Sequence, residues 1–141
     1  MRTLSLRQPW ACLVVHFGKS IENRTWNTRF RGEFLIHAAK GMTRREFDEA
    51  YEFARSVLGE ARPTRQYLRP MLQFGGIIGC ARVVDVVAPN PLGVVGWYPP
   101  GVNHRWHMRE QFGFVLADVT PLPFRPCRGR LGFFELPVEA P

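Results

Sequence analysis

Lys19, Glu22 and Arg24 stand close together in the run Gly18-Lys19-Ser20-Ile21-Glu22-Asn23-Arg24, where an apolar helical pattern ends and an extended one begins. Charges of both signs at the mouth of a core are costly to desolvate unless each finds a partner. If residues 20–26 are extended, Glu22 and Arg24 share one face and Asn23 takes the other. Lys19, in the turn, can fold towards either. Such a group in a cleft can bind a phosphate or a carbonyl, or hold a lysine at a pKa suited to proton transfer. The use of lysine is itself informative, since the chain has two lysines, Lys19 and Lys40, against seventeen arginines. Lysine is a compact charge that can give up its proton when desolvated, and arginine is not. Lys19 and Glu22 are therefore the candidate acid–base pair, with Arg24 as a ligand-binding neighbour. The alternative is an ion-pair network that only fixes the helix–strand corner.

Further candidates surround this cluster in sequence. Arg7 and Gln8 precede a helix whose N-terminal N–H groups suit an anion, whereas Trp10 has helical-spaced apolar partners and reads as core. Trp26, Arg29, Phe30 and Arg31 interleave aromatic and basic side chains, a mix that lets bases stack while phosphates pair. A solvated loop with one aromatic anchor is the competing reading. Arg125, Arg128 and Arg130 lie in the proline-stiffened run Pro123-Phe124-Arg125-Pro126-Cys127-Arg128-Gly129-Arg130 and form a candidate phosphate-contacting rim. A charged loop over a sheet edge would give the same pattern. His37 and Lys40 complete the ligand-binding candidates, although a lone histidine in an apolar strand is commonly a hydrogen-bonded core residue. His104 and His107 have helical spacing but no nearby Cys, Asp or Glu, so no metal site is assigned.

The elements that must position these residues follow from periodicity. Thr3–Leu6 alternates as a short strand. Pro9 suits the first turn of a helix, and Trp10, Leu13, Val14 and Phe17 make its apolar face before Gly18 stops it. Ser20–Trp26 is extended and Glu33–Ala38 is a strand. Thr43 with Glu46 three residues on forms a capping box. It opens a helix whose apolar face is Phe47, Ala50, Tyr51, Ala54, Val57 and Leu58 and which ends at Gly59. Residues 60–74 are a polar connection with a short helix around Gln66–Leu72. Ile77–Val87 is rich in β-branched residues and reads as a central strand, Pro89–His107 as a long loop, Phe112–Asp118 as a strand and Gly132–Leu136 as the last. Five to six short strands with two main helices make an α+β or β-barrel-like domain.

Composition narrows the function classes. The 141 residues suit a single domain, 1–141, and the formal net charge of +7 points to a polyanionic partner. Cys12, Cys80 and Cys127 are too far apart for a zinc ribbon or a disulfide frame, and a cytoplasmic setting fits. The N-terminus lacks the apolar run of a signal peptide. The most apolar stretch, Gly75–Ala88, carries Arg82 and Asp85 and is too short to span a bilayer. Neither dinucleotide nor P-loop glycine motifs are present, and no cofactor is expected.

The chain resembles the ASCH domain, a family of the PUA-like superfamily of small β-barrels. The resemblance rests on Ser5-Leu6-Arg7-Gln8-Pro9-Trp10-Ala11, on the Gly18–Arg24 run, on Ile36-His37-Ala38-Ala39-Lys40 and on Gly75-Gly76-Ile77-Ile78-Gly79-Cys80-Ala81, and extends from about residue 3 to residue 137. It implies a barrel with a cleft lined by the Lys19 turn and RNA or another single-stranded nucleic acid as partner. Some relatives are binding modules of transcription coactivators. One is described as a metal-dependent ribonuclease. A bacterial branch hydrolyses the amide of N4-acetylcytidine with a lysine, a threonine and a glutamate. Lys19 matches that lysine and Arg24 the arginine closing the motif, but Glu22 stands where that branch has threonine. Glu110 is one candidate for the branch's glutamate. The leading expectation is an RNA- or nucleotide-binding domain, and the alternative is a hydrolase of a modified nucleoside or of RNA.

Overall fold

The structure is a computed structural model, and it describes residues 1–92 and 96–137. Residues 93–95, inside the expected Pro89–His107 loop, and residues 138–141 lie outside the described residues. The strands are β1 (Arg2–Leu6), β2 (Ile21–Arg24), β3 (Gly32–Ala38), β4 (Gly76–Val87), β5 (Phe112–Pro126) and β6 (Phe133–Glu135). The helices are α1 (Trp10–His16), α2 (Arg44–Leu58) and α3 (Arg65–Leu68). The strands make one six-stranded sheet in the order β2-β5-β4-β3-β1-β6. The β1–β3 pair is parallel and the other pairs are antiparallel. This is an α+β fold in which the sheet curls into a half-barrel.

Its two edges are brought together by side chains. Phe133, on edge strand β6, stacks on Phe114 of β5 with ring centroids 6.2 Å apart and meets Trp26, just beyond edge strand β2, at 6.0 Å. A fully closed barrel would satisfy its edges with backbone hydrogen bonds. Here an aromatic seam does the joining, and beside it a gap is left between β2 and β1.

Helix α1 packs against β3, β4 and β5. Five consecutive residues, Ala11–Val15, are buried, so the helix is enclosed on nearly all sides rather than on the single stripe its spacing predicts. Pro9 is its N-cap residue, one position before the first-turn place expected, and follows a cis peptide bond. Gly18 ends it at φ +71°, a conformation that suits glycine, and the Lys19 N–H turns back to the Leu13 carbonyl at 3.1 Å. Helix α2 carries the capping box read from Thr43 and Glu46 and buries Phe47, Ala50, Tyr51, Ala54 and Val57. Among the described residues, no helix is long and apolar enough to cross a membrane.

Strand β5 runs eight residues past the predicted end at Asp118, through Pro121, Pro123 and Pro126. Those prolines argue against a strand in the sequence. They are tolerated because β2 pairs only with Phe112–Val115, so the later half of β5 has β4 alone as a partner.

Candidate functional site

A cleft of about 340 Å³ opens in the gap between β2 and β1. Lys19, Glu22 and Arg24 lie in its lining, with Trp10 and Trp26 beside them. Lys19 is 1% exposed and Glu22 7%. The Lys19 ammonium donates to the Ile21 carbonyl, stands 3.5 Å from Glu22 Oε1 and lies over the Trp10 ring, 5.1 Å from its centroid. Arg24 Nε donates to the other Glu22 oxygen at 2.9 Å. One carboxylate is thus shared by two cations. Burial holds the Lys19 pKa below the ordinary lysine range; the charge of Glu22 opposes that shift and the charge of Arg24 adds to it.

Arg24 also spans the gap, for its Nη2 donates to the Ser5 carbonyl at 2.7 Å. β6 pairs only with Arg2–Leu4, so that carbonyl lies beyond the last β1–β6 pair. The guanidinium fork therefore ties β2 to β1 where no strand does, and this geometry suits arginine rather than lysine. Asn23, which also lines the cleft, holds the segment before β5 in place. Its amide donates to the Trp106 carbonyl at 3.0 Å and accepts from the Met108 N–H at 2.8 Å. The alternation expected for Glu22, Asn23 and Arg24 is met in their partners, Glu22 with Arg24 and Asn23 with the segment before β5, although all three line the cleft. Among the described residues, no buried side-chain nitrogen or oxygen lacks a hydrogen-bond partner.

The remaining candidates are spread over several places. Arg7 and Trp26 line the cleft, but the Arg7 guanidinium is engaged by Glu46 in a two-pronged contact, at 2.8 and 2.6 Å. Gln8 does not line the cleft. It is 1% exposed, donates to the Gln73 carbonyl and accepts from the Cys12 N–H, which pins the start of α1. Arg29 and Arg31 line a separate hollow near Ala88, and Arg31 also bonds the Thr28 and Phe30 carbonyls.

His37, Lys40, Arg128 and Arg130 come together in another cavity, of about 800 Å³. Arg125 is in strand β5 rather than in a loop, and it donates to the Pro137 carbonyl. Glu110 is exposed and outside the cleft lining. His107 is buried between the Tyr98 hydroxyl and the Gln111 carbonyl, 2.7 Å from each. No three His, Cys, Asp or Glu side chains converge to hold a metal ion among the described residues.

Sequence reasoning missed part of the cleft. Trp10, read as core, packs on Phe53 with one part of its ring system and lines the cleft with another. Helical spacing predicts the first contact and is blind to the second. Ser5, Thr25, Met108 and Gln111 also line the cleft. Alternation along β1 does mark Ser5 as the polar position between buried Leu4 and Leu6, the one signal that could have found it.

No curated protein matches the chain. A family model, that of the ASCH domain, matches residues 4–116, a span that includes β1 through the first part of β5 and with them the Lys19–Glu22–Arg24 cleft. The chain belongs to the ASCH domain family.

Proposed function

We propose that this ASCH domain is an RNA-binding module and that the cleft between β2 and β1 receives a base. The observation that carries the reading is the Lys19–Glu22–Arg24 array, its lysine and glutamate buried, set beside two tryptophans. A base is flat, largely neutral and edged with donors and acceptors. The indoles supply stacking surface, Glu22 an acceptor and Arg24 a donor fork. The array is already internally paired, so a polar base edge can exchange bonds with it without leaving a bare charge. The net charge of +7 supplies the attraction for the backbone.

The test is fluorescence anisotropy with a labelled eight-nucleotide single-stranded RNA across a salt series. With about four phosphates contacted at ~0.7 each, log K falls against log salt with a slope near −3. Arg24→Gln weakens binding while leaving that slope almost unchanged, because it alters the base site rather than the backbone contacts. A flat salt response, or no binding at low salt, overturns the reading.

A second reading, hydrolysis of a modified nucleoside such as N4-acetylcytidine, is favoured by one observation: Lys19, its pKa lowered by burial, lies 3.5 Å from a carboxylate. Glu22 would activate water while Lys19 polarises the amide carbonyl. Ser5 and Thr25 bring hydroxyls to the cleft, yet neither is hydrogen-bonded to Lys19. The expected outcome is no turnover of N4-acetylcytidine by the wild type. Turnover that disappears in Lys19→Ala would establish the enzyme instead.

A further inference from the structure

We infer that the cavity on the far side of Ser5 is a second nucleotide subsite, which takes the phosphate and base next to the one held in the first cleft. The inference rests on the RNA-binding reading above and specifies its ligand: a strand of at least two nucleotides rather than a free nucleoside.

Ser5 lines both cavities. Its carbonyl accepts from Arg24 in the first cleft, and its hydroxyl lies 2.8 Å from His37 Nδ1 on the side of the second. One residue of β1 is therefore the partition between them, and a strand crossing it would enter both.

The second cavity has the chemistry of an anion site. Among the described residues no carboxylate lines it, whereas Lys40, Arg128 and Arg130 do. None of these three cations is in an ion pair among the described residues, in contrast to Arg7, Arg24, Arg45, Arg55 and Arg65. Three unpaired cations around one hollow repel each other, and a phosphate removes that cost. Phe74 and Leu131 add an apolar wall, Phe74 being 38% exposed and Leu131 fully exposed. An aromatic face beside unpaired cations is the combination that single strands use, stacking for the base and charge for the backbone.

The arginines are held in place by a built support. His37, 2% exposed, has Nε2 2.8 Å from the Cys127 carbonyl. A carbonyl only accepts, so Nε2 carries a proton and, in the neutral ring, Nδ1 accepts from the Ser5 hydroxyl. The Cys127 N–H donates to the Gly75 carbonyl at 3.1 Å. Gly129 then lies flat against this pair: a Cβ there would come within 2.7 Å of His37 and 3.0 Å of Ser5 Oγ. Arg128 and Arg130 flank that glycine at exposed positions. The loop is thereby fixed against the partition residue, with its two cations at the cavity.

The experiment uses the full chain and three probes: uridine monophosphate, the dinucleotide UpU, and a labelled eight-nucleotide oligouridylate. Wild type is expected to bind UpU at least about tenfold more tightly than the mononucleotide. Arg128→Ala with Arg130→Ala should weaken the eight-nucleotide probe by about tenfold at low salt and make the salt slope shallower by about 1.4, two contacts at ~0.7 each. Phe74→Ala should weaken binding about fivefold with the slope unchanged, since stacking is not electrostatic. Arg44→Ala with Arg45→Ala removes the same charge from the exposed start of α2 and serves as control. Equal losses in both arginine pairs, or no gain from UpU, would overturn the second subsite while leaving RNA binding intact. Absence of binding by the wild type to all three probes would overturn both readings.

Discussion

The two cavities that share Ser5 use charge in opposite ways. In the cleft between β2 and β1, every charge is spoken for: Glu22 holds Lys19 and Arg24, and Arg24 also reaches the Ser5 carbonyl. In the cavity behind Ser5, Lys40, Arg128 and Arg130 have no ion-pair partner among the described residues. Paired, buried charges recognise by position and carry structural weight. Unpaired, exposed ones recognise by charge and carry almost none. The difference teaches that loss of function in the two places should look different, one arriving with unfolding and the other without it.

The largest effect that tests this contrast is expected at Glu22. Glu22→Ala leaves buried Lys19 without its counter-charge and Arg24 without its anchor. Breaking a buried pair by removing one partner costs about 3–5 kcal/mol, read as a fall in urea midpoint. The double change Lys19→Met with Glu22→Leu removes the stranded charge and should cost less than Glu22→Ala alone. A double variant as unstable as the single one would show that the pair is not what makes this region fragile.

Next in size is the cap of α2. Thr43 accepts from the Glu46 N–H and Glu46 returns a bond to the Thr43 N–H. Thr43→Ala should cost about 1 kcal/mol by thermal denaturation. The Arg7 guanidinium holds the Glu46 carboxyl well below the usual carboxylate range, at about 2. A carboxylate with a depressed folded pKa stabilises the fold above its unfolded value, near 4.5, and that contribution is lost as the pH falls from there towards 2. Glu46→Gln should therefore flatten the acid limb of a stability-versus-pH curve in that window. Both partners are substantially solvated, so the whole change is expected to stay under ~1 kcal/mol.

The smallest effect should come from the second cavity. Arg128→Ala with Arg130→Ala is expected to move stability by no more than ~0.5 kcal/mol, since the two are exposed and in no ion pair among the described residues. A loss comparable with that of Glu22→Ala would erase the distinction between the cavities. Thiol chemistry sharpens the same line between interior and surface. Burial pushes the Cys12 thiol up to about 11, so at neutral pH it should be alkylated more slowly than partly exposed Cys80 and Cys127, as peptide mapping after brief iodoacetamide treatment would show.

Much of this was legible in the chain, for reasons tied to range. The capping box of α2, the stop at Gly18 and the pairing of Glu22 with Arg24 two residues on are local matters of backbone periodicity, and they stand where the residues place them. What could not be read is long-range pairing. Arg7 and Glu46 are 39 residues apart, and no spacing rule joins them. His37 meets Cys127 across 90 residues, which turns a histidine in an apolar strand into the support of a loop. The extent of β5 was hidden because proline is judged by the strand it interrupts, and the sequence does not show that one side of that strand has no neighbour. The Lys19 cluster was visible as chemistry, but the partition at Ser5 was not, because it depends on where the sheet stops closing.

That unaccompanied half of β5 has a consequence for how copies of the molecule behave towards each other. Val119, Leu122 and Phe124 lie on a long outer strand edge of the kind that templates aggregation. Pro121, Pro123 and Pro126 remove three amide donors from that same stretch. Fewer donors are left along that stretch for an incoming chain to pair with, which weakens it as a template.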